Sequence, residues 1–257
     1  MTILSRATLS TLLATVETPA GRPALRTGIV HFGPGAFHRA HQAAYIDRLL
    51  ADDPRWGIAA VSLRTRGTID ALAAQDGLYT LAIRDAQPSL RVIGAHSAFL
   101  GPEDAAQTAA LLADPAVRLV TSTVTEKGYC LGADGTLDRS HPDIVHDLAG
   151  AGTPRSVAGW IVQGLAARRA AGVAPFTVMP CDNLADNGRK LHAALVAYAG
   201  QVDAGLAEWI AAEVAVPCTM VDSITPASDA GFLSDLTAQL GVDDAAAVQR
   251  EAFAQWV

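Results

Sequence analysis

Residues Gly28 to His41 read G-I-V-H-F-G-P-G-A-F-H-R-A-H, and this stretch decides the fold class. A short apolar run, Ile29 to Phe32, meets Gly33 and Gly35 and gives way to a helical pattern. In that pattern Ala36, Ala40, Ala43, Ile46 and Leu50 share one face. The pattern predicts a strand, a tight glycine turn and a helix start. A helix N-terminus offers unpaired N–H groups and a partial positive charge, so a phosphate can sit there. Gly33 would permit the turn, and Gly35 would let the backbone approach a pyrophosphate. The G-x-G-x-x-G fingerprint is incomplete, because His38 stands at its third glycine.

Outward from this stretch, strand and helix patterns alternate. Residues 1–26 read as a short helix and a connector containing Pro19, Gly21 and Pro23. Strands are expected at Gly57 to Leu63, Leu78 to Arg84, Leu90 to Ala95, Arg118 to Thr125, Phe176 to Pro180 and Val214 to Val221. Helices are expected at Thr68 to Ala74, Pro102 to Ala113, Ser156 to Ala171, Asp186 to Tyr198 and Phe232 to Leu240. Glu103 and Asp104 are placed in the first turn of one helix, and Ser156 and Gly172 bound another. Such alternation implies parallel β-α-β units and an α/β, doubly wound, mainly parallel sheet with flanking helices. Ligands of such sheets bind at the carboxyl ends of the strands.

The chain has 257 residues, half of them hydrophobic, which is enough for a sizeable core in one large domain or two small ones. Its net charge of -7 argues against a general nucleic-acid or membrane-surface binder. Cys130, Cys181 and Cys218 are few, odd in number and far apart, which suits a reducing compartment. The N-terminus lacks a secretory pattern, and no apolar run is long enough to span a bilayer. A cytoplasmic location is the expectation.

Three polar clusters follow expected strands: Thr125-Glu126-Lys127-Gly128-Tyr129, then Cys181-Asp182-Asn183 with Asn187-Gly188, then Asp222-Ser223-Ile224-Thr225-Pro226. Asp, Asn and Gly also end strands and cap helices as ordinary turn residues, so each cluster has two readings. Their shared position at strand ends favours function. Asp182 and Asp222 are candidates for a carboxylate pair. His38 and His41 stand three apart at a helix start but lack a further metal ligand at fitting spacing, so packing or hydrogen bonding is expected of them, and no metal. No G-x-S-x-G elbow and no Walker A loop is present. After the second expected strand the chain reads S-L-R-T-R-G, with Arg64 and Arg66 and no acid for a ribose diol. Arginine there would suit a 2′-phosphate, while two solvated loop arginines are the simpler account.

The run G-P-G-A-F-H-R-A-H-Q-A resembles the opening motif of the polyol-specific long-chain dehydrogenases, which include mannitol 2-dehydrogenase and fructuronate (mannonate) reductase. Later stretches resemble that family in order and spacing: A-Q-D-G-L-Y-T-L from Ala74, T-V-T-E-K-G-Y from Thr123, M-P-C-D-N-L-A-D-N-G from Met179, P-C-T-M-V-D-S-I-T-P from Pro217, and the final F-A-Q-W-V. The resemblance runs from about Gly28 to the last residue. It implies a Rossmann-type domain over residues 1–225 that binds NAD, with NADP left open. Residues 226–257 would lead towards the family's helical substrate domain.

By the same resemblance, Gly33, Pro34, Gly35, Ala36 and Phe37 hold the pyrophosphate, and Glu126 and Lys127 lie near the nicotinamide. From its place after the second expected strand, Arg64 is expected on the ribose side. Asn183 helps polarise the substrate oxygen, and Asp222 lines the substrate site. The implied reaction interconverts a secondary hydroxyl of a sugar alcohol or aldonate with a ketone. Fructuronate or tagaturonate reduction is the near alternative, and a non-catalytic nucleotide-binding module the distant one. Two departures stand out. Ser223 occupies a place where the family has arginine. The family's K-x-x-x-x-N-x-x-H motif, whose lysine is the general base, has no counterpart around Lys127 or Lys190, the only lysines. Residues 1–257 alone are therefore expected to be a cofactor-binding half with little or no turnover. The surface left by the second domain would allow self-association.

Overall fold

The run Thr27–Phe32 forms strand β1, buried along five of its six residues, and it ends at Gly33. The computed structural model describes residues 2–19, 21, 23–124, 126–150 and 152–257; the side chains of Glu126 and Lys127 lie outside what is described. After β1 come helices α1 (Ala36–Ala40) and α2 (Gln42–Leu49), strand β2 (Gly57–Val61), α3 (Gly67–Ala74), β3 (Tyr79–Arg84), β4 (Ser89–Ile93), β5 (His96–Leu100) and α4 (Ala105–Ala113). The second half continues with β6 (Leu119–Ser122), α5 (Pro142–Leu148), α6 (Val157–Ala170), β7 (Thr177–Pro180), α7 (Asn187–Val202) and α8 (Ala204–Glu213). It closes with β8 (Val221–Asp222), α9 (Ala230–Leu240), β9 (Val248–Glu251) and β10 (Gln255–Trp256).

The main sheet has five strands in the order β5-β2-β1-β6-β7. The β2–β5, β1–β6 and β6–β7 pairings are all parallel, with Phe32 opposite Ser122 and Ser122 opposite Pro180. From β1 the chain builds outwards through β2 and β5, then returns to the other side of β1 with β6 and β7. The order therefore reverses between β1 and β6, the place where an open α/β sheet leaves a crevice at its carboxyl ends. All five residues of β2 are buried, which is why this strand reads as an unbroken apolar run and not as an alternation.

The chain divides into two compact units. One comprises Met1–Gly28, Pro34–Gly101 and Asp222–Gln255; the other comprises Ile29–Gly33, Pro102–Val221 and Trp256–Val257. In the first, a three-stranded sheet in the order β4-β3-β9 joins an antiparallel hairpin to a parallel third strand. Its core includes Leu78, Val92, Phe232, Leu236 and Leu240, which are all buried. In the second, α6 starts at Ser156, whose hydroxyl accepts from Gly159 N–H at 2.9 Å, and stops before Gly172 at φ +66°. Arg168 of α6 is almost wholly buried. It donates to the carbonyls of Leu112, Val117, Ala174 and Asp114, so one guanidinium ties together the ends of several segments.

Several expectations are corrected. The helix expected within residues 1–26 is a 3-10 turn, Arg6–Thr11. Asp104 is the N-cap of α4 and Glu103 precedes it, so neither lies in the helix's first turn. The helical stripe from Ala36 is right in its face, since Ala40, Ala43, Ile46 and Leu50 are buried, but the helix breaks at His41 (φ -115°, ψ -86°) into α1 and α2. The stretch Val214 to Val221 forms strand only at Val221–Asp222. Pro217 lacks a ladder N–H, and the segment's backbone serves α7 instead. Asn187 bonds both the N–H (3.0 Å) and the C=O (3.1 Å) of Thr219.

That contact also depends on Gly188. A Cβ there would stand 2.4 Å from Pro217 O and 2.5 Å from its carbonyl carbon, so the backbone would have to shift. Gly188→Ala is expected to lower unfolding free energy by about 2–4 kcal/mol in urea denaturation. Gly67→Ala, where nothing lies within 4 Å, is expected to stay within about 0.5 kcal/mol of the parent protein.

Candidate functional site

Gly33 ends β1 with φ +91°, a conformation that favours glycine. Its carbonyl accepts from the Thr123 hydroxyl at 2.6 Å and faces His31 Nε2 at 3.2 Å. Because Thr123 Oγ1 spends its proton on Gly33, it must accept from His31, whose Nε2 lies 3.0 Å away. His31 therefore carries a proton on Nε2. Its Nδ1 lies 2.7 Å from the Thr121 hydroxyl. The imidazole is fully buried. It sits where β1 and β6 end, and it fixes the glycine turn to the crevice edge.

The next peptide is held by a second buried group. Arg39, 8% exposed, donates to Pro34 O at 2.8 Å and to Ala246 O at 3.2 Å, and its own carbonyl accepts from Tyr79 at 2.7 Å. Burial depresses the Arg39 pKa, and the nearby Tyr79 and Asp244 oppose that shift. Gly35 is the N-cap of α1 in an extended conformation, and no side chain caps the helix. The turn thus has two carbonyls tied back and N–H groups left at a helix start. Backbone N–H groups at a helix start can bind an anion. The Phe37 ring stacks on His41, centroids 5.0 Å apart.

The two helix-start histidines are structural. His41 Nε2 donates to Gln255 O at 2.7 Å and its Nδ1 receives Gln42 at 3.0 Å, while burial lowers its pKa. His38 Nε2 lies 3.1 Å from His96 Nε2, so one ring donates and the other accepts. His96 is held down to about 3 by burial, helped by the charge of Arg39.

Past the carboxyl end of β7, Asp182 is a hydrogen-bond hub. Tyr129 OH donates to its Oδ2 at 2.5 Å, and Leu184 N–H to its Oδ1 at 2.9 Å. Tyr129 also lies 3.0 Å from Ser122 Oγ, which joins the ends of β6 and β7. Burial and the Asp182 charge push the Tyr129 pKa far above its usual value, so it stays a donor. Cys181 is buried, and its thiol is pushed up to about 12 by burial and by Asp182. Neither side chain is a nucleophile at neutral pH. Asn187 Nδ2 reaches Asp182 O at 3.1 Å. These bonds hold the turn so that Asn183 stands exposed beside Asp182.

Of the other expected site residues, Asp222 and Arg64 are exposed. Arg66 pairs with Asp70 at 2.9 Å on α3. Ser223 is buried and donates to Phe253 O at 3.0 Å. Thr125 and the side chains of Glu126 and Lys127 lie outside the described residues. Asp182 and Asp222 belong to different compact units, and the Asp182 carboxylate is already taken by Tyr129 and Leu184. Sequence reasoning did not single out His31 or Arg39, and it named Tyr129 only as the last residue of the cluster that starts at Thr125. Among the described residues no helix is long and apolar enough to cross a membrane.

A reversed-order parallel sheet with a glycine turn at its switch point defines a dinucleotide-binding α/β domain. The family model described as the mannitol dehydrogenase Rossmann domain matches residues 27–257, and the chain belongs to that family. D-mannonate oxidoreductase of Escherichia coli (strain K12) is 42% identical over 260 residues, covering 96% of this chain and 54% of that protein. Mannitol 2-dehydrogenase of Cereibacter sphaeroides is 46% identical over 242 residues, covering 92% and 50%. The structure of Pseudomonas fluorescens mannitol 2-dehydrogenase, a ternary complex with NAD and D-mannitol, superposes with a TM-score of 0.93 at 43% identity, covering 98% of this chain and 53% of that one. The chain spans about half the length of the curated relatives it matches.

A histidine kept neutral by the fold contributes stability above its unfolded pKa of 6.5, and that contribution is lost as pH falls from there towards about 3. His96→Gln is expected to remove this dependence. The stability difference between parent and variant should shrink by about 1.4 kcal/mol per pH unit between pH 6 and 4 in urea titrations.

Proposed function

We propose that this chain is the NAD-binding half of an oxidoreductase that interconverts a secondary hydroxyl of a sugar alcohol or aldonate with a ketone. The observation that carries the proposal is the glycine turn at the β1–β6 switch point, its two carbonyls tied back by Thr123 and Arg39 and its helix start uncapped. The backbone from Gly33 to Phe37 would hold the pyrophosphate, and Arg64 would lie on the ribose side. Glu126 and Lys127 would lie towards the nicotinamide. When bound, the cofactor supplies the hydride acceptor. The Asn183 amide donates to the substrate oxygen, which stabilises charge there, and Asp222 lines the substrate site. The likeness to a D-mannonate oxidoreductase keeps fructuronate or tagaturonate reduction as the near alternative.

Oxidation also requires a base for the hydroxyl proton. Residues 1–257 contain no K-x-x-x-x-N-x-x-H stretch. On this proposal the chain alone binds cofactor and turns over no substrate. The test is a titration of the chain with NADH and NADPH by nicotinamide fluorescence, followed by an assay for mannitol- or mannonate-dependent NAD(P) reduction. The expected results are saturable NADH binding and no turnover until a C-terminal half from a relative is supplied. Failure to bind either nucleotide overturns the cofactor reading. Turnover by the chain alone overturns the division of labour, and a failed reconstitution favours a non-catalytic binding module.

A further inference from the structure

Arginines Arg48, Arg91 and Arg250, with Tyr45, line one cleft of about 280 Å³ together with Leu81 and Ile83 of β3. The strand pairing creates this convergence. Ile83 of β3 lies opposite Arg250 of β9, and Leu81 lies opposite Arg91 of β4. In a chain of net charge -7 such a concentration of guanidinium groups runs against the overall field. Arg91 is compensated: it is 5% exposed and pairs with Asp47 at 2.5 Å and Glu17 at 3.2 Å. No carboxylate forms an ion pair with Arg48 or Arg250 among the described residues. Glu251, the neighbouring acid, turns its Oε1 to the N–H of Ile224 at 2.9 Å. Arg250 gives one terminal nitrogen to the carbonyls of Glu251 and Ala252, at 3.1 and 3.0 Å, while its Nε is buried and meets no acceptor among the described residues. Burial lowers the Arg250 pKa and the like charges of Arg48 and Arg91 add to that, against the opposing pull of Tyr45 and Glu251.

We propose that this cleft is an anion site that takes a doubly charged phosphoryl group between Arg48 and Arg250. It shares no residue with the glycine turn. Two guanidinium groups that form no ion pair among the described residues match a dianion in charge, and their planar forks match its tetrahedral oxygens. Both side chains line the cleft, so a phosphoryl group there meets guanidinium nitrogens from α2 and from β9.

The test is calorimetric titration of the chain with inorganic phosphate and separately with a sugar monophosphate, at constant ionic strength and with NADH present in excess. Acetate and chloride serve as monovalent comparisons. Saturable phosphate binding is expected, weakened about tenfold by Arg48→Gln or Arg250→Gln. Arg55→Gln, which removes an exposed arginine paired with Asp53, should leave it unchanged. Arg48 is exposed on α2, so Arg48→Gln tests the site even if Arg250→Gln unfolds the chain. Tighter binding of the sugar monophosphate identifies a metabolite site, and equal binding identifies a site for free phosphate. Phosphate binding no stronger than chloride, or equal in parent and Arg48→Gln proteins, overturns the proposal. Acetate binding as tight as phosphate overturns the assignment of a dianion.

Discussion

An imidazole buried where two parallel strands end, hydrogen-bonded on both ring nitrogens, is the constraint on which the site depends. His31 has a bonding partner on each ring nitrogen, and the chain of donors from Nε2 has one direction. Nε2 gives to Thr123, Thr123 gives to the Gly33 carbonyl, and Nδ1 bonds the Thr121 hydroxyl. Because these bonds converge on Gly33, the glycine turn keeps its left-handed conformation without a side chain of its own to hold it. A buried ring nitrogen left unbonded would cost free energy, and the two threonines meet both nitrogens.

Arginines perform the same service elsewhere by taking backbone carbonyls that would otherwise be buried and unmet. Arg39 holds Pro34 on the far side of the glycine turn, and Arg168 gathers the ends of loops around α6. Arginine suits this work because its five donors are fixed in a plane and its charge persists. With only two lysines in the chain, the buried long cationic side chains among the described residues are arginines: Arg39, Arg91 and Arg168. On the other side of the crevice, Tyr129 and Asn187 do for Asp182 what His31 does for Gly33: they fix a turn at a strand end so that its next residue, Asn183, is presented outward.

The strand-turn-helix core was legible because its information is local. An apolar run, two glycines and a 3.6-residue stripe lie within one short stretch, and the stripe's buried residues agree with the structure even though the helix breaks at His41. The clusters after β6 and β7 were legible as strand-end polar groups, but their wiring was not, since Tyr129 and Asp182 lie 53 residues apart. His31 and Arg39 were passed over because a single polar residue in an apolar stretch carries no mark of what it bonds. Strand β5 was missed because His96–Leu100 follows Gly94 and Ala95 closely and reads as the tail of the preceding strand. Strand β9, V-Q-R-E, is too polar to look buried, yet its backbone completes a sheet. The opposite error occurred at Val214 to Val221, where β-branched composition suggested a strand that Pro217 and the contacts of α7 prevent.

The most direct measurement is the NADH affinity of Thr123→Val, an exchange that keeps the shape of the side chain and removes one hydroxyl. The carbonyl of Gly33 would lose its 2.6 Å bond and His31 the nearer of its two acceptors. The account predicts an affinity about tenfold weaker in a chain that still folds cooperatively. Parent-like affinity in the folded variant would contradict it, because the glycine turn would then hold its shape without the bonds that converge on Gly33.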